Sequence, residues 1–163
     1  MSRTILIQPL SRAAFAPFGD VLDVAGTPDK MINQGLCGRY HDRAQMDFND
    51  GVAGISLFNA QVRSLPLALE MMERHPDGSQ AFIPMHQNPF LVVVAPDDAG
   101  APGAPLAFVT ARGQGINFHR NVWHGVLTPL HEPGLFAAID RIGDGANLQE
   151  HWFDLPWRIE RSN

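Results

Sequence analysis

A chain of 163 residues with 45% hydrophobic and 18% charged side chains is long enough to bury a substantial core and too apolar to stay disordered. Its net charge of -5 leaves no basic face for nucleic acid, and its longest apolar run, FLVVVA at 90–95, is far too short to cross a bilayer. The single cysteine, Cys37, excludes an internal disulfide and a Cys-rich zinc module.

Residues 1–163 are therefore expected to form one domain. The first residues, MSRTILIQPL, lack a signal-peptide core, so a cytoplasmic protein without nucleic-acid or membrane partners is expected. In chain order, the pattern predicts a strand over 4–7 and a short helix in SRAAFAPFGD, opened by Ser11 as N-cap and stopped by Pro17. Strands follow over 21–24 and 54–59. The segment LPLALEMMERH is rich in helix formers, yet period two places Leu67, Leu69, Met71, Glu73 and His75 on one face. We read it as a strand, joined at Pro76-Asp77-Gly78 to another over 81–85. Further strands are expected over 90–95, 106–110, 116–118 and 135–139. Many short strands without helices between them make an all-β sandwich or small barrel, which holds a ligand at its mouth or in its lumen.

In this reading Glu73 and His75 point into the same interior as the apolar residues before them. A carboxylate placed there is costly unless paired or metal-bound. The basic residues carry a second hint: eleven are Arg and only Lys30 is Lys, and arginine suits bidentate capture of a carboxylate or phosphate.

Two segments concentrate polar chemistry. One is Glu73-x-His75-x4-Gln80, in ERHPDGSQAFIPM; the other is Gly113-x5-His119-x-Asn121-x2-His124, in GQGINFHRNVWHG. Together they resemble the paired metal-binding motifs of the cupin superfamily, with Glu73 and His75 at the two His positions, Gln80 at the Glu, and His124 at the last His. The resemblance implies a cupin-like (jelly-roll) β-barrel with one or two short helices. Glu73, His75, Gln80 and His124 then offer an N/O ligand set suited to Ni, Mn, Fe or Zn, weakened by the neutral Gln. The alternative is that these side chains only hydrogen-bond one another in a metal-free barrel.

A narrower resemblance covers nearly the whole chain. The segments LSRAAFAPFGDVL, NQGLCGRYHDRA, ERHPDGSQAFIPM, FHRNVWHG and IDR, in this order, resemble the ureidoglycolate lyase family of allantoin and purine catabolism. Departures are Gly125, where the family tends to have a second His, and HQN at 86–88, where it has a turn glycine. The resemblance implies a homodimer, nickel if a metal is bound, and cleavage of (S)-ureidoglycolate, a small anion, to glyoxylate and urea. That reaction needs a carboxylate clamp, removal of the hydroxyl proton and protonation of the departing nitrogen.

Arg39 and Arg120 are candidates for the clamp; both can equally be structural partners of Asp42 or Asp140. His41 and His119 are candidate proton carriers, because an imidazole titrates near neutral pH. His124 is a candidate ligand or catalytic residue. Trp123 is expected to pack, and His86, His131 and His151 to face solvent. Two other functions stay open: a different metal-dependent cupin enzyme, and a non-catalytic cupin that binds a small acid.

Overall fold

The computed structural model describes residues 3–162. Six of its strands close a ring: Leu106–Val109, Thr4–Pro9, Gln149–Arg161, Leu67–Arg74, Trp123–His124 and Phe90–Ala95, the last pairing again with the first. The ring is mixed, since Thr4–Pro9 runs parallel to both of its neighbours. A five-stranded sheet covers one side of it, in the order Gly19–Leu22, Gly115–Phe118, Gln80–Pro84, Leu135–Ile142, Val52–Asn59. The all-β, cupin-like expectation holds. The one α-helix among the described residues, Arg12–Phe15, is capped as expected: Ala14 N–H donates to Ser11 Oγ at 3.2 Å. Among the described residues no helix is long and apolar enough to cross a membrane.

Strand Phe90–Ala95 shows why the barrel needs two layers. All six of its residues are buried. Phe90, Val92 and Val94 pack with Phe82, Phe118 and Phe136 of the second sheet. Leu91, Val93 and Ala95 face the other way, filling the ring with Leu67, Leu69 and Trp123. A strand covered on both faces carries apolar residues at every position rather than at every second one. Each large side chain so buried stabilises the fold by about 1.5–3 kcal/mol.

Two expectations are corrected. The strand Gln149–Arg161 was hidden by its charges and by Pro156, which interrupt any alternation. It forms because both edges find partners, and its register shifts between Trp152 and Trp157, where the proline is tolerated. Strand Leu67–Arg74 also changes phase. Met72, fully buried, joins Leu67 and Leu69 inside the ring, so Glu73 faces away from that interior rather than into it.

The turn after it matters most for the site. Strands Leu67–Arg74 and Gln80–Pro84 do not pair; residues 75–79 cross from the ring to the second sheet. Asp77 N–H donates to Asn147 Oδ1 at 2.7 Å, and Ser79 N–H to the Asp47 carbonyl at 2.7 Å, which fixes the crossing. Glu73 and His75 thus arrive from one layer and Gln80 from the other.

Candidate active site

The site lies between the two layers, at the end where the chain crosses. Glu73 and His124 are direct cross-strand neighbours, so their side chains leave the ring on the same face. Val94, the neighbour of His124 on its other side, also faces the second sheet. His75 follows Glu73 at the end of the strand. One ligand atom from each of Glu73, His75 and His124 lies within 4.8 Å of the others. The His75 and His124 rings are 5.1 Å apart, and Phe118 stacks on His124 at 4.2 Å and 6°, which sets that ring's plane.

Hydrogen bonding decides what the imidazoles present. His75 Nδ1 is 2.8 Å from the Asn147 carbonyl and His124 Nδ1 is 2.9 Å from the Gly125 carbonyl. A carbonyl can only accept, so each Nδ1 carries a proton, and in the neutral form of either ring the lone pair is left on Nε2. Among the described residues both Nε2 atoms are buried without a hydrogen-bond partner. Histidine ligands to metals are held in this way, by a second hydrogen bond that fixes the tautomer. The residues therefore fit a divalent ion.

The electrostatics agree. Burial pushes the His124 imidazole down to about 3, with the neighbouring His75 adding to the effect and the Gly125 carbonyl opposing it. His124 is a neutral lone-pair donor at physiological pH. Burial raises the Glu73 carboxyl above its ordinary range; His75 pulls it back and Glu150 pushes it further up.

Gln80, 6% exposed, enters from the second sheet. It sits directly across from Phe118 and shares its inward face. Its Nε2 donates to Asp140 Oδ2 at 3.1 Å, and its Oε1 is buried without a partner among the described residues. Arg120 Nη1 lies 3.5 Å from Asp47 Oδ2, with both side chains about half exposed. The main chain beside each is tied down: Asn121 N–H donates to the His75 carbonyl at 2.9 Å, and Asp47 N–H to Ser79 Oγ at 2.9 Å.

The remaining expected residues lie elsewhere. His119 turns to the opposite face of the second sheet, where its Nε2 is 3.1 Å from Asp20 Oδ2; Asn117 donates to that same oxygen at 3.0 Å. The cause is parity: Ile116 and Phe118 face the core, so Asn117 and His119 face away. Arg39 belongs to a separate hairpin, Lys30–Ile32 with Cys37–Arg39, and His41 follows it; both are exposed. None of the hydrogen bonds or ion pairs found among the described residues links either to the cluster, since that hairpin fastens to Asp29 and Gly26 instead. His86 is not solvated as expected; its ring lies edge-on against Phe136 at 4.8 Å. At Gly125 a Cβ would meet Val93 Cβ at 3.2 Å, so a His there requires Val93 to give way.

Comparison with known proteins matches these features to one family. The sequence model of ureidoglycolate lyase aligns with residues 2–160. The chain belongs to the ureidoglycolate lyase family. Ureidoglycolate lyase of Rhodobacter capsulatus is 57% identical over 157 residues, spanning 96% of this chain and 98% of that one. Ureidoglycolate lyase 2 of Rhizobium meliloti is 52% identical over 94% of this chain and 96% of its own, and the Pseudomonas aeruginosa ureidoglycolate lyase is 48% identical over 93% and 91%.

Two site residues escaped the sequence reading as such. Asp140 was considered only as an arginine partner, whereas it holds Gln80. The alternation Phe136, Ala138, Asp140 in strand Leu135–Ile142 was the signal that it points inward. Asn147, whose carbonyl orients His75, lies in a Gly- and Asp-rich loop that carries no comparable signal.

Proposed function

We propose that the protein is a cytoplasmic, single-domain lyase that cleaves (S)-ureidoglycolate to glyoxylate and urea. The observation that carries this reading is the convergence of Glu73, His75 and His124, with two buried Nε2 atoms that lack a hydrogen-bond partner among the described residues, in a chain of this family. In the reaction the hydroxyl O–H and the carbon–nitrogen bond break, a carbonyl forms, and the proton ends on the urea nitrogen. No water or oxidant is consumed.

Arg120 clasps the substrate carboxylate in this reading, exchanging its loose contact with Asp47 for the ligand; its half-exposed guanidinium supports the role. Glu73, His75, His124 and Gln80 Oε1 would hold a divalent ion, nickel being favoured by the family resemblance, and such an ion would acidify the substrate hydroxyl as a Lewis acid. His124, kept neutral by burial, offers a lone pair and not a proton. In the metal-free cluster the Glu73 carboxyl has the raised proton affinity needed to take the hydroxyl proton.

We also propose a homodimer. The outer face of the second sheet exposes Ile55, Leu57, Ile83 and Met85 in adjacent rows, Leu57 and Ile83 both lying across from Ala137. A continuous apolar sheet face of this kind fits a subunit contact.

The decisive assay incubates purified protein with ureidoglycolate and follows glyoxylate and urea. Equal amounts of the two support the lyase. Ammonia and carbon dioxide in place of urea would move the protein to amidohydrolase chemistry, oxygen uptake would indicate an oxygenase, and binding without turnover a sensor.

A further inference from the structure

Strand Leu135–Ile142 carries an acidic residue where its alternation calls for an apolar one. Phe136 and Ala138 are fully buried between the two layers, and Asp140 points the same way. It lies directly across from Gln80 and accepts from Gln80 Nε2 at 3.1 Å. A carboxylate has no proton to donate, so it engages only the NH2 end of the amide. The other end, Oε1, is buried without a hydrogen-bond partner among the described residues, and Gln80 lies directly across from Phe118, whose ring stacks on His124.

We propose that Asp140 is a positioning residue that aims the Gln80 oxygen at the cluster, and that its presence is why a neutral amide stands at position 80. The proposal deepens the lyase reading and rests on it for any effect on turnover; the pairing itself stands on the contact alone. A glutamate in place of Gln80 restores the usual cupin ligand at that one position on paper. Here it would set a second carboxylate about 3 Å from Asp140, with no N–H between them and like charges facing each other. The usual ligand is thus unfavourable until Asp140 is also changed to an amide, which can donate to the new carboxylate.

The test uses four chelator-stripped proteins: wild type, Gln80→Glu, Asp140→Asn and the double variant. Each is melted near neutral pH and titrated with Ni2+ by calorimetry. Gln80→Glu alone is expected to lower Tm by about 5 °C and to bind Ni2+ no tighter than wild type. Adding Asp140→Asn recovers most of the Tm loss and tightens Ni2+ binding about tenfold over Gln80→Glu alone, because a charged ligand is then free to act. Asp140→Asn alone leaves Tm within about 2 °C but lowers kcat/KM, since its amide no longer dictates which end of Gln80 faces inward.

A Gln80→Glu protein as stable as wild type overturns the proposal, as does a double variant that recovers nothing. Turnover of the wild type separates the two readings. An inactive wild type removes the lyase and leaves the pairing to be judged by Tm, whereas an active one without the coupling removes only the role of Asp140.

Discussion

Acid should unfold the metal-free protein in a way that reports directly on His124. An unfolded histidine takes up its proton near 6.5, whereas His124 in the folded state does so at about 3. Between these values the unfolded chain binds more protons, so the stability that a neutral buried His124 provides is complete above 6.5 and is lost as pH falls. At pH 5 the folded imidazole is still neutral, so the loss is set by the unfolded state, and it comes to about 2 kcal/mol relative to pH 8. Glu73 works in the opposite sense. Its raised carboxyl takes a proton in the folded state first, so its contribution favours folding at low pH and is lost as pH rises through the folded value. Comparing two proteins isolates His124. Urea unfolding of chelator-treated wild type and His124→Asn at pH 8, 6.5 and 5 should give curves that converge by about 2 kcal/mol on acidification, the variant having the flatter profile. Parallel profiles would show that His124 is not held neutral by burial, and the lone-pair role assigned to it would fall.

Arg120→Ala should raise KM for ureidoglycolate about tenfold, as expected for loss of one charge-assisted hydrogen bond; steady-state kinetics with unchanged KM would make Arg120 structural. Asp47→Asn should lower KM about two- to fivefold, because an exposed ion pair contributes only about 0–1 kcal/mol and its removal frees Arg120; no change in the Arg120→Ala background confirms that it acts through that arginine. Phe118→Ala should cost about 3–5 kcal/mol in urea unfolding and weaken Ni2+ binding, since the same ring fills the core and holds the His124 plane; a stability loss with unaltered Ni2+ affinity would separate the two roles. Leu57→Lys, at a position 66% exposed, should leave the fold intact and yield a monomer in light scattering; a persistent dimer would put the interface elsewhere.

The period-two reading of LPLALEMMERH outweighed its helix propensity because burial, not intrinsic preference, decides a strand packed on a barrel. The same reading put Glu73 on the wrong face, since a phase change between Leu69 and Met72 leaves no mark in residue identity. His119 shows the converse. Its spacing from His124 matches a motif, yet its parity with Asn117 sends it through the sheet to Asp20. The long strand Gln149–Arg161 could not be read locally, because both of its partners are supplied by segments far away in the chain.

Residue order alone determined the all-β class, the short capped helix, the absence of disulfide chemistry and the family, because each depends on local pattern or composition. It also named the residues of the cluster. Only the tertiary structure decided that they meet between two sheets and not inside one closed ring. The crossing at 75–79 delivers them from different layers, and a main-chain carbonyl fixes each imidazole. Such convergence is a matter of register and layer packing between segments distant in sequence, which no local pattern encodes.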